Sequence, residues 1–503
     1  MAKAKAKSKP AAKSRVKAKA KSKPKAKPAA KPAKAKRENP LLARWRTPFG
    51  APPFDKIQAS DFPSAFAKTL AAHKAEIRAI AGNSAKPSFA NTLVALEKSG
   101  EALSRVADVF FNLTSADTNP ALQEIERDIA PKLADHASAI YLNGKLFRRI
   151  DDLNERRDRL NLDAEQARLL ERMHKGFVRS GAKLGAKAKK RVAEINSRLA
   201  TLSTAFAQNV LADEQSWRLV LRGEADLAGL TAPMRAAAER TAKSLGIEDG
   251  SAITLARSSV ESFLQFSSRR DLREEAFKAW IKRGENGGKT DNRAIVAEIV
   301  DLRAEFAKLM GYESYAAFHL DDSMAKTPET VRDLLGQVWP AAVKKAAQER
   351  EALAALVRAE GGNFSVAAWD WRYLAEKERK ARYHLDEGEV RSYLTLDNVI
   401  AAAFDTASRL FGIAFKERDD IPTYHPDVRT WEVRTKGGKH VGLFLGDYFA
   451  RPSKRSGAWM STFRGQHKLK GEVRPIVTNV MSCSKGAEGE PTLLSFDDAR
   501  TLF

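Results

Sequence analysis

The sequence predicts a mostly α-helical protein with a small β-sheet near residues 430–482. Through most of the chain, apolar residues recur at spacings of three and four, as one face of a helix requires. From about residue 430 apolar and polar residues alternate instead, which is typical of half-buried strands. The length of 503 residues and the 43% hydrophobic content allow a large core, in two or more domains or one elongated one.

Three segments carry the helical pattern most clearly. KTPETVRDLLGQVW begins with Thr327 as a predicted N-cap and Pro328 at the first helical position. LDNVIAAAFDTASRLFG ends at Gly412, a predicted C-terminal stop. The segment VAEINSRLATLSTAF has a single apolar stripe, made of Val192, Ile195, Leu199, Leu202 and Phe206.

The strand signals lie near the end of the chain and are nearly absent before residue 420. TWEVRTKGGKHVGLFLGDYF alternates around Gly437-Gly438, which predicts a hairpin. VRPIVTNVMSC indicates a further strand, and EPTLLSFDDARTLF, at the end, begins as a helix does. We therefore divide the chain into a basic tail (1–38), a helical body (39–420) and a small sheet with the start of a helix (421–503).

The net charge of +24 is concentrated in the tail. Residues 1–37 contain 14 Lys, 2 Arg and no acidic residue, and they have nothing apolar to bury, so we expect them to be disordered. No hydrophobic run follows, as a secretory signal would require. Two interpretations stay open: an arm that contacts nucleic acid or anionic membranes weakly through counterion release, or a solvated extension with incidental affinity for polyanions.

Several classes of protein are excluded by residue content. No apolar run approaches the roughly 18 residues of a membrane span. A single cysteine, Cys483, excludes an internal disulfide framework and a multi-cysteine metal cluster, and it suits a reducing compartment, so we expect a cytoplasmic protein. No two of the eight histidines lie three or four apart, and no phosphate loop or Gly-x-Ser-x-Gly elbow is present. The residues alone assemble no catalytic site.

Five blocks of sequence resemble the thimet-type zinc oligopeptidases, and within them the peptidyl-dipeptidases and oligopeptidase A. The blocks are LMGYESYAAFHLDDSMAKTPETV, WDWRYLAEKERKARYHLDEGEVRSYL, DYFARPSKRSGAWM, RPIVTNV and PTLLSFDDARTLF. The likeness runs in order over roughly residues 40–503. The basic tail lies outside it.

The resemblance implies a fold and an activity. It implies two helical lobes around a deep channel, with the small sheet on one wall. It also implies a monomeric peptidase in which a Zn²⁺-activated water hydrolyses short peptides, because a narrow channel keeps folded proteins out.

The zinc motif of the family is not found in the sequence. In the family, His-Glu-Phe-Gly-His follows a Thr-Leu-Phe such as Thr501-Leu502-Phe503 and supplies two zinc ligands and the general base. We therefore expect residues 421–503 to be an incomplete catalytic domain, with no catalytic or metal-binding residue, no bound Zn²⁺ and no activity alone. The alternative is a chain complete as written, a non-catalytic peptide- or polyanion-binding remnant. Reading the genomic frames beyond codon 503 distinguishes the two.

The resemblance also implies a wall for the substrate. The strand around Ser456–Met460 would lie along the cleft, where a peptide adds to the sheet as an extra strand. We assign substrate binding to Gly457, Ala458, Trp459 and Met460, with the small residues at Gly457 and Ala458 admitting the ligand backbone. The alternatives are a plain sheet strand whose glycine relieves crowding, and a Trp459 that anchors the core.

A cluster of cations precedes this strand. Arg451, Lys454 and Arg455 are candidates to meet a substrate carboxylate, since a peptidyl-dipeptidase must sense a C-terminus. The more ordinary interpretation of such a cluster is a solvated loop.

Overall fold

Helices dominate the part of the chain that the computed structural model describes, residues 37–486 and 489–503. The mostly helical fold with a small sheet is therefore confirmed, while the two-lobed arrangement and the boundaries at residues 38 and 420 stay predictions. The predictions for residues 1–36 lie outside the described residues. Within the described ranges, no helix combines the length and apolar character needed to cross a membrane.

The helices fall into two groups along the chain. The first group is α1 (Phe62–Ala81), α2 (Ala95–Glu97), α3 (Glu101–Ala116), α4 (Pro120–Tyr141), α5 (Gly144–Glu155), α6 (Ala164–Arg179) and α7 (Ala186–Ser216). The second group is α8 (Gly223–Asp226), α9 (Ala232–Ser244), α10 (Arg257–Phe266), α11 (Arg270–Ile281), α12 (Arg293–Leu309), α13 (Tyr315–Leu320), α14 (Pro328–Ala359), α15 (Ala368–Tyr383), α16 (Glu387–Tyr393), α17 (Leu396–Phe411) and α18 (Phe496–Leu502).

The predicted helices are confirmed. The predicted apolar stripe from Val192 to Phe206 lies within α7. Helix α14 begins after Thr327, whose side chain accepts a hydrogen bond from the Thr330 amide at 3.3 Å. Helix α17 ends at Gly412, which adopts a left-handed φ of 65°, as a glycine C-terminal stop does.

The main sheet has five strands in the order β3-β4-β5-β7-β6. Its strands are β3 (Ile413–Glu417), β4 (Arg429–Thr435), β5 (His440–Phe449), β6 (Trp459–Arg464) and β7 (Ile476–Cys483). The predicted hairpin around Gly437-Gly438 is the antiparallel β4–β5 pair, and the further predicted strand is β7. Strands β5 and β7 are parallel, whereas the other neighbours are antiparallel.

Three short strands were not predicted from the sequence. The sheet begins at Ile413 rather than near residue 430. A separate two-stranded sheet, β1 (Arg218–Leu221) and β2 (Ser251–Thr254), lies inside the predicted helical body. Each of these three strands has only four or five residues, too few for a periodicity of two to be distinguished from chance.

Residues Asn39–Phe503 form one unit, in which both faces of the main sheet are covered. Along β5, Leu443 and Leu445 belong to the core shared with α1, α3 and α4. Phe444 and Tyr448 belong to the core shared with α17 and α18. This alternation follows from the two-residue period of a strand, and it places the sheet between two layers of helix.

A buried carboxylate lies where β5 leaves the sheet. Asp447 is fully buried, and it accepts hydrogen bonds from Arg451 at 2.8 and 2.6 Å, Lys454 at 2.7 Å and the Tyr424 hydroxyl at 2.7 Å. Burial by itself raises the pKa of Asp447, but the two cations outweigh it and hold that pKa below its ordinary value. Burial lowers the pKa of Lys454 to about 8. The site is an ion cluster closed off from water.

The loop that carries these cations is fixed to the end of α3. The Thr118 amide donates to the Ser453 carbonyl at 2.7 Å, and the Arg455 amide donates to the Ser115 carbonyl at 3.0 Å. The Ser453 hydroxyl donates to Asp117 at 2.7 Å. The start of β6 is therefore held by contacts with both the sheet and the helices.

The first group of helices brings two histidines together. His73 of α1 and His136 of α4 are hydrogen-bonded, with 3.0 Å between Nδ1 of the first and Nε2 of the second. Such a bond needs one donor and one acceptor nitrogen, so it is incompatible with two protonated rings. Burial lowers the pKa of both side chains.

We predict that Asp447→Ala lowers the free energy of unfolding by about 3–5 kcal/mol, because it leaves the buried Lys454 without a carboxylate and Arg451 with only Asp117, 3.5 Å away. Urea unfolding followed by circular dichroism measures the change. The control is Asp405→Ala, which removes a half-exposed partner of Arg409 on α17 and should change stability by less than about 0.5 kcal/mol. Equal losses of stability in the two variants would contradict the claim that the buried ion pairs of Asp447 stabilise the fold.

We also predict a loss of stability below neutral pH that depends on the histidine pair. In the unfolded chain the side chains of His73 and His136 have a pKa of about 6.5. In the folded protein their pKa is lower, so they bind protons only at lower pH. Stability is therefore complete above pH 6.5 and falls as the pH decreases below it. Urea unfolding between pH 8 and pH 5 measures the free energy of unfolding at each pH. As the pH falls, this free energy should decrease less steeply for His136→Gln than for wild type. The exposed-residue control His467→Gln should follow wild type; identical slopes for all three would refute the prediction.

Candidate functional site

Strand β6 lies at one edge of the five-stranded sheet. It pairs with β7 on one side, with Met460 opposite Asn479 and Thr462 opposite Val477. No strand pairs with its other side among the described residues. An edge strand presents unpaired N–H and C=O groups to an added chain.

One contact shows which backbone groups face away from β7. The Asn112 side chain of α3 donates a hydrogen bond to the Thr462 carbonyl at 3.0 Å. In an antiparallel pair the backbone groups of alternate residues point the same way. We therefore expect the N–H and C=O of Met460 to point outward too.

The four predicted substrate-binding residues lie at the start of this edge. Gly457 has a φ of +119°, and nothing lies within 4 Å of the position that a Cβ would take there. The glycine is therefore needed for its backbone conformation, not to relieve crowding. Ala458 is exposed, Trp459 is half-buried, and Met460 is 68% exposed. Trp459 is thus not a fully buried core anchor, and the binding role of the four residues stays a prediction.

A cavity of about 890 Å³ opens next to this edge. Its walls come from the end of α7, from α9, β2 and α10, and from the loops that follow β5 and β7. The lining reaches Ser456, the residue that precedes Gly457. The edge of β6 and the cavity are therefore neighbouring features of one surface.

Two of the three cations before β6 are already bonded within the protein. Lys454 has a fully buried side chain that donates to Asp447 and to the carbonyls of Phe449 and Met481. Arg451 is bound to Asp447. Both residues line the cavity but are already paired with Asp447, and their role toward a substrate carboxylate stays a prediction. Arg455 is exposed.

The sequence held a signal for this ion cluster. Asp447, Arg451 and Lys454 are spaced by four and three residues within DYFARPSKRSGAWM. That spacing places an acid beside two bases within a short loop. The edge position of β6 and the contact with Asn112 had no signal in the sequence, because strand order depends on pairing between distant segments.

The described residues provide no ligand set that fits Zn²⁺. They contain no group of three or more His, Cys, Asp or Glu side chains that could hold a metal ion. The His73–His136 pair has two imidazoles, and a structural zinc site needs four protein ligands and a catalytic one three. The zinc implied by the resemblance therefore has no place among these residues.

Comparisons with known proteins agree with the resemblance. The sequence model of "Peptidase family M3" matches residues 263–503. Dipeptidyl carboxypeptidase of Escherichia coli (strain K12) is 41% identical over 466 residues, which cover 92% of this chain and 68% of that protein. Oligopeptidase A of the same organism is 30% identical over 471 residues, with coverages of 92% and 68%. The chain therefore belongs to peptidase family M3.

Proposed function

We propose that this chain supplies the peptide-binding wall of a family M3 peptidase that acts on short peptides. The observation that carries the proposal is the unpaired edge of β6, with exposed Met460 and open space at Gly457. An extended peptide binds there by adding a strand to the sheet. Main-chain hydrogen bonds hold any sequence, and contacts with side chains set preferences.

The neighbouring cavity supports the same use. Its volume of about 890 Å³ lies within the range of roughly 300–1,000 Å³ common for ligand pockets. Its lining includes Ser456, three residues before β6 begins, and we propose that a peptide bound along β6 continues past this residue toward the cavity. Arg451 and Lys454 line the cavity and are paired with Asp447, whereas Arg455 is exposed on the same loop and is the cation that we propose meets a peptide carboxylate.

The chemistry of hydrolysis is a separate part of the proposal. The resemblance implies a Zn²⁺-activated water, but the described residues provide no zinc site, and the sequence contains no His-Glu-x-x-His. We propose that this polypeptide alone binds peptides without cutting them. The non-catalytic peptide-binding alternative rests on the same strand and predicts the same behaviour. We also propose a cytoplasmic location, because a chain with a single cysteine forms no internal disulfide and suits a reducing compartment.

Pairing along β6 predicts that Met460→Pro weakens peptide binding about tenfold. Proline removes the outward N–H, and losing one main-chain hydrogen bond at the upper end of the usual range, about 1.5 kcal/mol, corresponds to roughly tenfold in affinity. Proline is tolerated at an edge strand when its missing N–H faced away from the sheet. Fluorescence anisotropy of a labelled pentapeptide measures the affinity.

Two matched variants control this experiment. Met460→Ala keeps the N–H and should bind within about threefold of wild type, because the backbone carries most of the contact. Ser461→Pro removes an N–H that faces β7 and should instead lower the melting temperature. Unchanged peptide affinity in a stably folded Met460→Pro protein would rule out strand addition at this edge.

Because the described residues provide no fitting ligand set, we predict that the purified chain binds far less than one zinc per chain after exposure to Zn²⁺ and desalting. We also predict that it hydrolyses no peptide. Elemental analysis and a pentapeptide cleavage assay check this, with Escherichia coli dipeptidyl carboxypeptidase assayed alongside. Zinc near one per chain, together with cleavage that a chelator abolishes, would overturn it.

A further inference from the structure

One side of helix α3 lies along the outer edge of β6. At the start of the helix, Glu101 pairs with Lys470, which belongs to the loop that follows the strand. At the end of the helix, the Ser115 carbonyl accepts a hydrogen bond at 3.0 Å from the amide of Arg455, in the loop that precedes the strand. Helix α3 therefore runs in the opposite direction to β6 and borders it along its length.

Asp108 lies midway along this side of α3. Positions seven residues apart differ by only about 20° around an α-helix, so Glu101, Asp108 and Ser115 fall on one line. Asn112 comes one turn after Asp108 and donates a hydrogen bond at 3.0 Å to the outward carbonyl of Thr462. Side chains four residues apart on a helix are neighbours, with about 5–6 Å between their Cβ atoms. Asp108 is therefore placed beside Asn112, toward the end of β6.

The Asp108 carboxylate has no partner among the described residues. Asp108 is half-buried, and the Asn112 side chain bonds only to its backbone carbonyl. The neighbouring base on the helix, Arg105, donates instead to the Leu41 carbonyl at 2.9 Å. Burial raises the pKa of Asp108 to about 6, and no nearby cation lowers it again. A half-buried carboxylate without a partner is stabilised by a cation that a ligand brings.

Asn112 also limits how far an added strand can extend along β6. It occupies the outward carbonyl of Thr462, so main-chain pairing with a peptide ends at Met460. One end of the peptide therefore lies beside Asn112 and Asp108. Strand β6 runs from Trp459 to Arg464, so this is the amino end of a peptide that adds antiparallel. A peptide that adds parallel would place its carboxylate there, against the like charge of Asp108.

We propose that Asp108 binds the free α-ammonium group of a short peptide that adds antiparallel to β6. This inference rests on the proposed function, since it requires a peptide on that strand. A charge-assisted hydrogen bond fixes the amino end of the peptide, while main-chain pairing remains independent of its sequence. The carboxyl end then lies on the side of Ser456 and the cavity. The preferred ligand is a peptide with an unblocked amino terminus.

The test compares two forms of one pentapeptide, labelled on the side chain of a central lysine. One form has a free amino terminus and the other is acetylated. Fluorescence anisotropy at pH 7 measures both affinities, because Asp108 is mostly ionised there and an α-amino group, with a pKa of about 7.7–8.0, is mostly protonated. The wild-type chain should bind the free form about tenfold more tightly, since hydrogen bonds between charged groups are the strong ones. Equal affinities for the two forms would overturn the inference.

Two variants locate the effect at Asp108. Asp108→Asn removes the charge at nearly constant shape, so its affinity for the free form should fall to that for the acetylated form, which should not change. Its melting temperature should be at least that of wild type, because the carboxylate has no ion pair to lose. The matched control is Glu101→Gln, which removes an acidic charge already paired with Lys470 on the same side of α3. It should keep the tenfold preference; an equal loss in both variants would indicate general attraction to acidic charge, against the inference.

The outcomes also separate this inference from the proposed function. If Met460→Pro weakens binding of both peptide forms while Asp108→Asn changes neither, strand addition stands and the role of Asp108 is wrong. If Met460→Pro weakens neither, the peptide does not add to β6 and both proposals fail. Tighter binding of the acetylated form by Asp108→Asn than by wild type would place the peptide carboxylate beside Asp108, which would also overturn the inference.

Discussion

The buried carboxylate of Asp447 is the constraint on which the candidate site depends. It lies at the end of β5 and binds two cations from the loop that leads to β6, so the strand cannot shift without breaking an ion cluster closed off from water. Exposed ion pairs contribute little to stability, but a buried charge that loses its partner is costly. The same loop is fixed to the end of α3 through Ser453. The edge of β6 is thus held in place by contacts on both sides.

What the sequence could predict was local. The N-cap at Thr327, the glycine stop at Gly412 and the hairpin at Gly437-Gly438 depend on residues within a few positions of one another, and all three are present. Peptidase family membership was predicted from blocks of sequence and is confirmed by relatives. A single strong local preference is enough in each case, since caps and turns are decided by backbone conformation at one or two residues.

What the sequence could not predict required contacts between distant segments. The pairing of Arg218 with Thr254, the hydrogen bond between His73 and His136 and the contact of Asn112 with Thr462 join parts of the chain far apart in sequence. Lys454 shows the same limit for charge. A lysine in a basic loop is usually solvated, and only the position of Asp447 makes this one a buried structural group.

The edge of β6 and the exposed apolar side of α14, which includes Leu335 and Trp339, differ in what they select. An unpaired strand edge offers directional hydrogen bonds that any extended backbone can satisfy, so it accepts many sequences and holds each weakly. An apolar helix face offers area without direction, and its specificity comes from the fit of side chains such as Trp339. A surface of the first kind suits a substrate that must leave, and one of the second kind suits a permanent neighbour. Helical periodicity is the same whether an apolar stripe is covered or exposed. The pattern beginning at Thr327 therefore predicted the helix correctly but gave no information about its exposure.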